Sequence, residues 1–168
     1  MKFLSIKEFF YKLNTIGFIL LLAPMLVFIF LYYRPGYTAP LITDPAIVVI
    51  VLASLLFFIV ADLTVVRWVW KSRMRKLKAL MELSRKMDGY YELVLLKLGS
   101  YSGCSLMLGA GFYLTGNPGF TVIFLLVAVV ILIEWPSASA FCRQFELDGA
   151  ERDMVMKNLD LKNRKRDW

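Results

Sequence analysis

The chain reads AIVVIVLASLLFFIVADLTVV from residue 46 to residue 66, and Asp62 is the single charged residue in this stretch. A helix of that length rises about 30 Å, which matches the hydrocarbon core of a bilayer. Three further apolar segments of comparable length occur elsewhere in the chain. The four predicted spans cover residues 15–33, 46–70, 93–114 and 120–142. The sequence therefore predicts an all-α, four-transmembrane-helix bundle with cytoplasmic amphipathic segments.

The composition agrees with membrane insertion. Of the 168 residues, 59% are hydrophobic, and the mean hydropathy is +0.63, whereas a soluble domain is about half apolar. The net charge of +7 comes from basic residues that flank the apolar segments. This arrangement indicates contact with anionic lipid headgroups rather than with nucleic acid. Because the chain has no histidine and two widely separated cysteines, we predict no metal site and no cofactor.

The distribution of charge predicts the orientation in the membrane. With the spans above, the N-terminus, residues 67–92 and the tail share one side, which carries 19 of the 20 Lys and Arg residues when Lys97 and Arg143 are counted at their nearer ends. The opposite side carries only Arg34, so the positive-inside rule places both termini in the cytoplasm. We expect a multi-pass protein of a bacterial inner (plasma) membrane, with one membrane domain (residues 1–142) and a basic cytoplasmic tail (residues 143–168).

A basic cytoplasmic loop, residues 71–92, follows the second span. Apolar residues recur within it at helical spacing, which predicts either an amphipathic helix on the membrane surface or an extension of the second span. Asp88-Gly89 is expected to end this helix. We expect the loop to bind anionic headgroups, with docking of an acidic partner as the alternative. The basic residues concerned are Lys71, Arg73, Arg75, Lys76, Lys78, Arg85 and Lys86.

The third span is unusually rich in small residues. Gly99 and Gly103 are four residues apart, and so are Ser105 and Gly109. Small residues at this spacing let helix backbones approach closely in lipid. We therefore predict that these four residues pack against neighbouring helices and that the third span is the central helix of the bundle.

Three charged residues, Asp62, Lys97 and Glu134, lie inside the predicted spans. Each costs about 2.5–3.5 kcal/mol to insert unless it has a partner. All three fall in the predicted cytoplasmic half, so we hypothesise that Lys97 bridges Asp62, Glu134 or both. Alternatively, Lys97 extends to the interface and Asp62 pairs with Arg67. A third interpretation is a proton or cation pathway.

Proline and capping signals predict local breaks in the helices. Pro24 is expected to kink the first span, and Pro136, within Glu134-Trp135-Pro136, is expected to kink the fourth, because proline removes a backbone donor. In the tail, Asp148 and Glu151 form a capping-box pattern that predicts a short helix.

Motifs of the common enzyme classes are missing from the sequence. There is no Walker sequence, no G-x-S-x-G, no H-E-x-x-H and no glycine-rich dinucleotide turn. We therefore predict no catalysis. The leading hypothesis is a scaffold or accessory subunit of a larger membrane assembly, in contact with other membrane chains or with a second copy. The alternative is a small oligomeric transporter or channel for protons or cations that uses the intramembrane charges.

Overall fold

The computed structural model describes residues 5–33, 40–147 and 149–157. Within these ranges the chain forms α-helices and no strand, which confirms the all-α prediction. The helices are α1 (Ile6–Tyr33), α2 (Pro45–Lys78), α3 (Leu83–Thr115), α4 (Pro118–Ile133), α5 (Ala138–Phe145) and α6 (Gly149–Met156).

Three of the described helices, α1, α2 and α3, are long and apolar enough to cross a membrane. The fourth candidate is a pair of helices, because α4 and α5 meet the same criterion only together and are bent by 73° relative to each other. The structure thus supports a helical bundle with three membrane-crossing helices, or four if the bent pair counts as one span.

The basic loop predicted after the second span is part of two long helices. With 34 and 33 residues, α2 and α3 each rise about 50 Å, well beyond the hydrocarbon core. The prediction that Asp88-Gly89 ends a helix is wrong, because α3 passes through both residues without a break. Gly89 instead provides room for α2, since a Cβ atom there would overlap the side chain of Leu77.

Helix starts follow the local chemistry of the sequence. Asp44 caps α2 by accepting a hydrogen bond from the Ala46 amide at 2.9 Å, and Asn117 caps α4 by accepting one from Gly119 at 2.8 Å. In both cases proline is the first helical residue, where its missing N–H costs nothing. Between α3 and α4, Gly116 adopts the left-handed conformation with φ of 63°. These signals produce a tight turn between α3 and α4.

Helix α3 is central, because α1, α2 and α4 all pack against it. Helix α3 runs antiparallel to α2 and α4 and parallel to α1. Phe9 contacts Tyr90 and Phe141 at one end of the bundle, and Phe28 contacts Phe112 at the other. The described Lys and Arg residues lie toward the first of these ends. We call it the basic end, where α1 and α3 begin and α2 and α4 end, and we call the other the opposite end.

The predicted fourth span, residues 120–142, is not one helix. Helix α4 ends at Ile133, residues 134–137 are non-helical, and α5 leaves at an angle. A kink at Pro136 was predicted, and the packing of Trp135 against α1 extends this break. The Trp135 indole donates to Asn14 Oδ1 at 3.1 Å, and its ring lies 4.8 Å from that of Phe18, both on α1. Gly17 leaves room for this ring, because a Cβ there would lie 3.2 Å from it.

The start of the predicted tail belongs to the bundle. Helix α5 crosses the expected boundary at residue 142, and Phe145, Leu147 and Val155 are buried in the core. Helix α6 is the short helix that the tail sequence predicted, but its expected cap, Asp148, lies outside the described residues. Pro24 lies within α1, which continues past it to Tyr33.

Candidate functional site

Two of the three intramembrane charges form an ion pair. Lys97 Nζ lies 2.5 Å from Glu134 Oε2, and the side chains are 19% and 40% exposed. The Tyr101 hydroxyl donates to the same oxygen at 2.6 Å. The Lys97 ammonium also lies 4.8 Å from the centre of the Trp70 ring, within the range of a cation–π contact.

Three helices supply this ion-pair site. Lys97 and Tyr101 are four residues apart and therefore share one face of α3. Trp70 comes from α2, and Glu134 is the residue that ends α4. Because α4 stops there, the Glu134 side chain meets α3 at the basic end. The site connects α2, α3 and α4.

Asp62, the third intramembrane charge, is separate from this site. Its carboxylate accepts hydrogen bonds from the Ser100 hydroxyl and from the Cys104 thiol, the latter at 3.6 Å. Among the described ion pairs, none joins Asp62 to Lys97 or to Arg67. The structure thus brings together two members of the predicted cluster, while Asp62 remains exposed between α2 and α3.

The small residues of α3 divide into two groups. Ser105 and Gly109 are buried, and Ser105 donates to the Tyr101 carbonyl at 2.9 Å. Gly99 and Gly103, in contrast, face none of the described helices, since a Cβ at either position would meet no atom within 4 Å, and their packing against a helix stays a prediction. The reason is that α1, α2 and α4 occupy the other sides of α3.

The close approach of helices occurs at a glycine that the spacing argument did not select. A Cβ at Gly111 would lie 2.5 Å from the Phe120 ring of α4 and 2.9 Å from Leu55 of α2. Gly111 lies outside the four-residue spacing, so only the positions of the neighbouring helices identify it.

One side of α3 is therefore uncovered. It carries residues at alternating spacings of three and four, which place them on one stripe of the helix. Asp62 borders this stripe, because its partners Ser100 and Cys104 each follow one of the uncovered glycines in sequence. We call the stripe the open face of α3; it consists of Leu96, Gly99, Gly103, Leu106 and Ala110.

The basic residues of the predicted loop differ in their surroundings. Lys86 does not belong to a lipid-facing surface, because it is only 9% exposed on the packed side of α3. Lys78 pairs with Glu146 at 2.5 Å, and Arg85 pairs with Glu82 at 2.9 Å.

The remaining basic residues of this loop are exposed on α2. Lys71, Arg75 and Lys76 line a shallow groove of about 340 Å³ together with Trp68 and Ser72. Arg73 is also exposed. Anionic headgroups remain the predicted contact of this surface.

An aromatic cluster at the basic end was not anticipated from the sequence. The ring of Phe141 lies 5.0 Å from that of Tyr90, 4.6 Å from that of Phe145 and 6.1 Å from that of Phe9. The available signal was the pattern of α5, in which Phe141, Cys142 and Phe145 fall on one face between polar residues. This pattern marks α5 as an amphipathic segment that packs on the bundle.

The described residues contain no group of three or more His, Cys, Asp or Glu side chains that could hold a metal ion. Comparisons with protein-family models, curated proteins and solved structures found no match. The arrangement is suited to the association of helices. An internal ion pair joins helices of the chain, and an open helix face lies beside a carboxylate.

Proposed function

We propose that the chain is a non-catalytic, multi-pass membrane protein that serves as an accessory subunit by receiving a transmembrane helix of another chain on the open face of α3. The observation that carries this proposal is that the central helix of the bundle leaves its glycine-rich side uncovered.

The shape of the open face suits a helix. With no atom within 4 Å of a Cβ at Gly99 or Gly103, a second backbone can approach α3 closely there. The flanking residues Leu96 and Leu106 are exposed and add apolar contact. In lipid, no hydrophobic effect drives helices together, because the acyl chains are as apolar as the side chains. Close backbone approach at small residues is therefore a main source of helix association.

Charge complementarity favours a different chain over a second copy. Asp62 borders the open face, and a carboxylate within an apolar span is costly without a cation. In a second copy, Lys97 is already engaged by its own Glu134. A partner helix that carries its own Arg or Lys would neutralise Asp62 as it fills the open face.

We also propose that the basic end lies in the cytoplasm and that the membrane is a bacterial inner membrane. Support comes from the sequence, in which 19 of 20 Lys and Arg residues are assigned to that side.

Photocrosslinking from the open face tests the partner. A benzoylphenylalanine at Leu106, in the full chain expressed in its own host, should yield one discrete product heavier than the chain, whereas Leu125 on the exposed side of α4 should yield none. The product should disappear in Gly103→Leu and Asp62→Asn. Ala53→Leu, which creates the same side chain at an exposed site on α2, should retain it.

Two results would contradict the proposal. Equal labelling from Leu106 and Leu125 would mean that the open face contacts only lipid. A product of twice the mass of the chain would mean that the partner is a second copy of this chain.

The transport alternative is favoured by one observation, the exposed Asp62 carboxylate. Against it, the interior of the opposite end is filled by rings: Phe28 lies 4.2 Å from Phe124 and 5.4 Å from Phe112. Glu134, moreover, is paired with Lys97. Proton flux into liposomes that vanishes in both Asp62→Asn and Glu134→Gln would support transport instead of the accessory role.

A further inference from the structure

A cleft of about 690 Å³ lies at the basic end, between the end of α4, α5 and α6. It forms because α5 turns away from α4 at Pro136, so that the first residues of α5 and the side of α6 face each other. The residues of its lining that matter here are Ile133, Ser139, Arg143, Glu146 and Arg152.

The cleft carries an excess of positive charge. Among the described residues, neither Arg143 nor Arg152 has a carboxylate within 4 Å. Glu146 also lines the cleft, but the Lys78 ammonium lies 2.5 Å from it and lowers the pKa of Glu146 below its ordinary value. Within the described ranges, Glu146 is thus paired with Lys78, and no carboxylate neutralises the two guanidinium groups.

The mouth of the cleft is apolar on one side. Ile133, the last residue of α4, is 77% exposed, and Leu132 beside it is also exposed. They continue the lipid-facing side of α4, which carries Leu125 and Val129. The cleft thus combines a cationic lining with an exposed apolar edge.

We propose that this cleft binds the phosphate of an anionic phospholipid between Arg143 and Arg152, with an acyl chain along Ile133. Guanidinium groups bind phosphate through paired, charge-assisted hydrogen bonds, and the Ser139 hydroxyl adds a neutral donor at the rim. A free phosphate would satisfy the guanidinium groups but would leave the apolar edge uncovered. The site is on a different surface from the open face of α3, so it is independent of the proposed partner helix.

Native mass spectrometry of the full chain tests this site. The protein is released from phosphatidylcholine nanodiscs that contain a small fraction of phosphatidylglycerol, and the bound phosphatidylglycerol is counted. Arg143→Ala/Arg152→Ala should weaken binding about thirtyfold, as expected for two headgroup contacts. Lys71→Ala/Arg75→Ala removes the same charge from the exposed surface of α2 and should weaken binding far less, because that surface attracts headgroups without a cleft that holds one of them.

Ser139→Asp gives a second variant that preserves the fold. Residue 139 is exposed in the first turn of α5, where an acidic side chain stabilises a helix. The new carboxylate also lies four residues before Arg143, so it should pair with that guanidinium group and weaken phosphatidylglycerol binding.

Three results would overturn the proposal. Equal losses in the cleft variant and in the α2 variant would indicate a diffuse attraction to the basic end. Unchanged binding in Ser139→Asp would place the lipid elsewhere. Displacement of phosphatidylglycerol by equimolar glycerol 3-phosphate would show that a soluble phosphate, and not a lipid, is the ligand.

Discussion

Lys97 illustrates how a single charge is accommodated in an apolar helix. Its ammonium is 2.5 Å from Glu134 and lies over the Trp70 ring, and the Tyr101 hydroxyl satisfies the same carboxylate oxygen. Each group offsets part of the cost of removing the others from water. The partners come from three helices, so the pair stabilises tertiary structure and not one helix alone.

We predict an energetic coupling of about 2 kcal/mol between Lys97 and Glu134, as for a charged hydrogen bond shielded from water. The measurement is a double-mutant cycle with Lys97→Met, Glu134→Gln and both together, from unfolding of the purified chain in mixed micelles titrated with SDS. Removal of one partner alone should be the most destabilising change, because it leaves the other charge unpaired.

The exposed pair of Lys12 and Glu8, 2.6 Å apart on α1, provides the control. Its coupling should be about 0.3–0.5 kcal/mol, typical of pairs four residues apart on a helix surface. If the two cycles return the same value, the Lys97 pair is no more shielded than a surface pair.

At the scale of the element, α3 packs three of its sides and leaves the fourth uncovered. Glycine has opposite roles on these sides. At Gly111 it lets α4 and α2 approach, since a Cβ would lie 2.5 Å from the Phe120 ring. At Gly103 it meets nothing within the chain. The same residue type therefore stabilises the bundle at one position and leaves a surface for another helix at the other.

We predict that Gly111→Ala destabilises the isolated chain by about 1–3 kcal/mol, because the Phe120 ring is buried and must move. Gly103→Ala is the matched control, with the same atoms added to the same helix. It should be neutral or should stabilise by up to about 1 kcal/mol through helix propensity. Unfolding in mixed micelles measures both, and a larger loss at Gly103 would contradict the described packing of α3.

The whole molecule has two ends of different character. At the opposite end, apolar rings such as Phe28 and Phe124 fill the space between helices. At the basic end, α2 and α3 extend beyond the apolar region, and α5 closes the bundle through Phe141 and through the bridge from Lys78 to Glu146. Most of the positive charge of the described residues therefore lies at one end.

Reporter fusions should place the two ends in different compartments. We predict fluorescence of a GFP inserted after Met81, which is 94% exposed in the turn between α2 and α3, and activity of alkaline phosphatase fused after Gly116. Fluorescence of a GFP fused to the C-terminus should further show that α4 and α5 together complete a fourth crossing. If the reporters after Met81 and after Gly116 lie in the same compartment, the antiparallel arrangement of α2 and α3 is contradicted.

Much of the architecture could be predicted from the sequence because it follows from local chemistry. Long apolar runs favour helices of membrane-spanning length, since every backbone group must be satisfied within the segment. Pro136 marked the break after α4. The central position of α3 was also predicted, from its small residues, and is confirmed.

The details of the sites required the tertiary structure. Depth along the helices suggested that Asp62, Lys97 and Glu134 lie near one another, but depth does not specify which side of a helix a residue faces. The rotation of α3 joins Lys97 to Glu134 and turns Ser100 toward Asp62.

Spacing in the sequence thus determined the helices, their approximate lengths and the residues able to lie close together. Only the tertiary structure decided that Gly111 is packed and Gly103 is open, and that α5 turns back to form a basic cleft. The physical reason is that helical periodicity is a property of one segment, whereas the close approach of two helices depends on where the neighbouring helices lie.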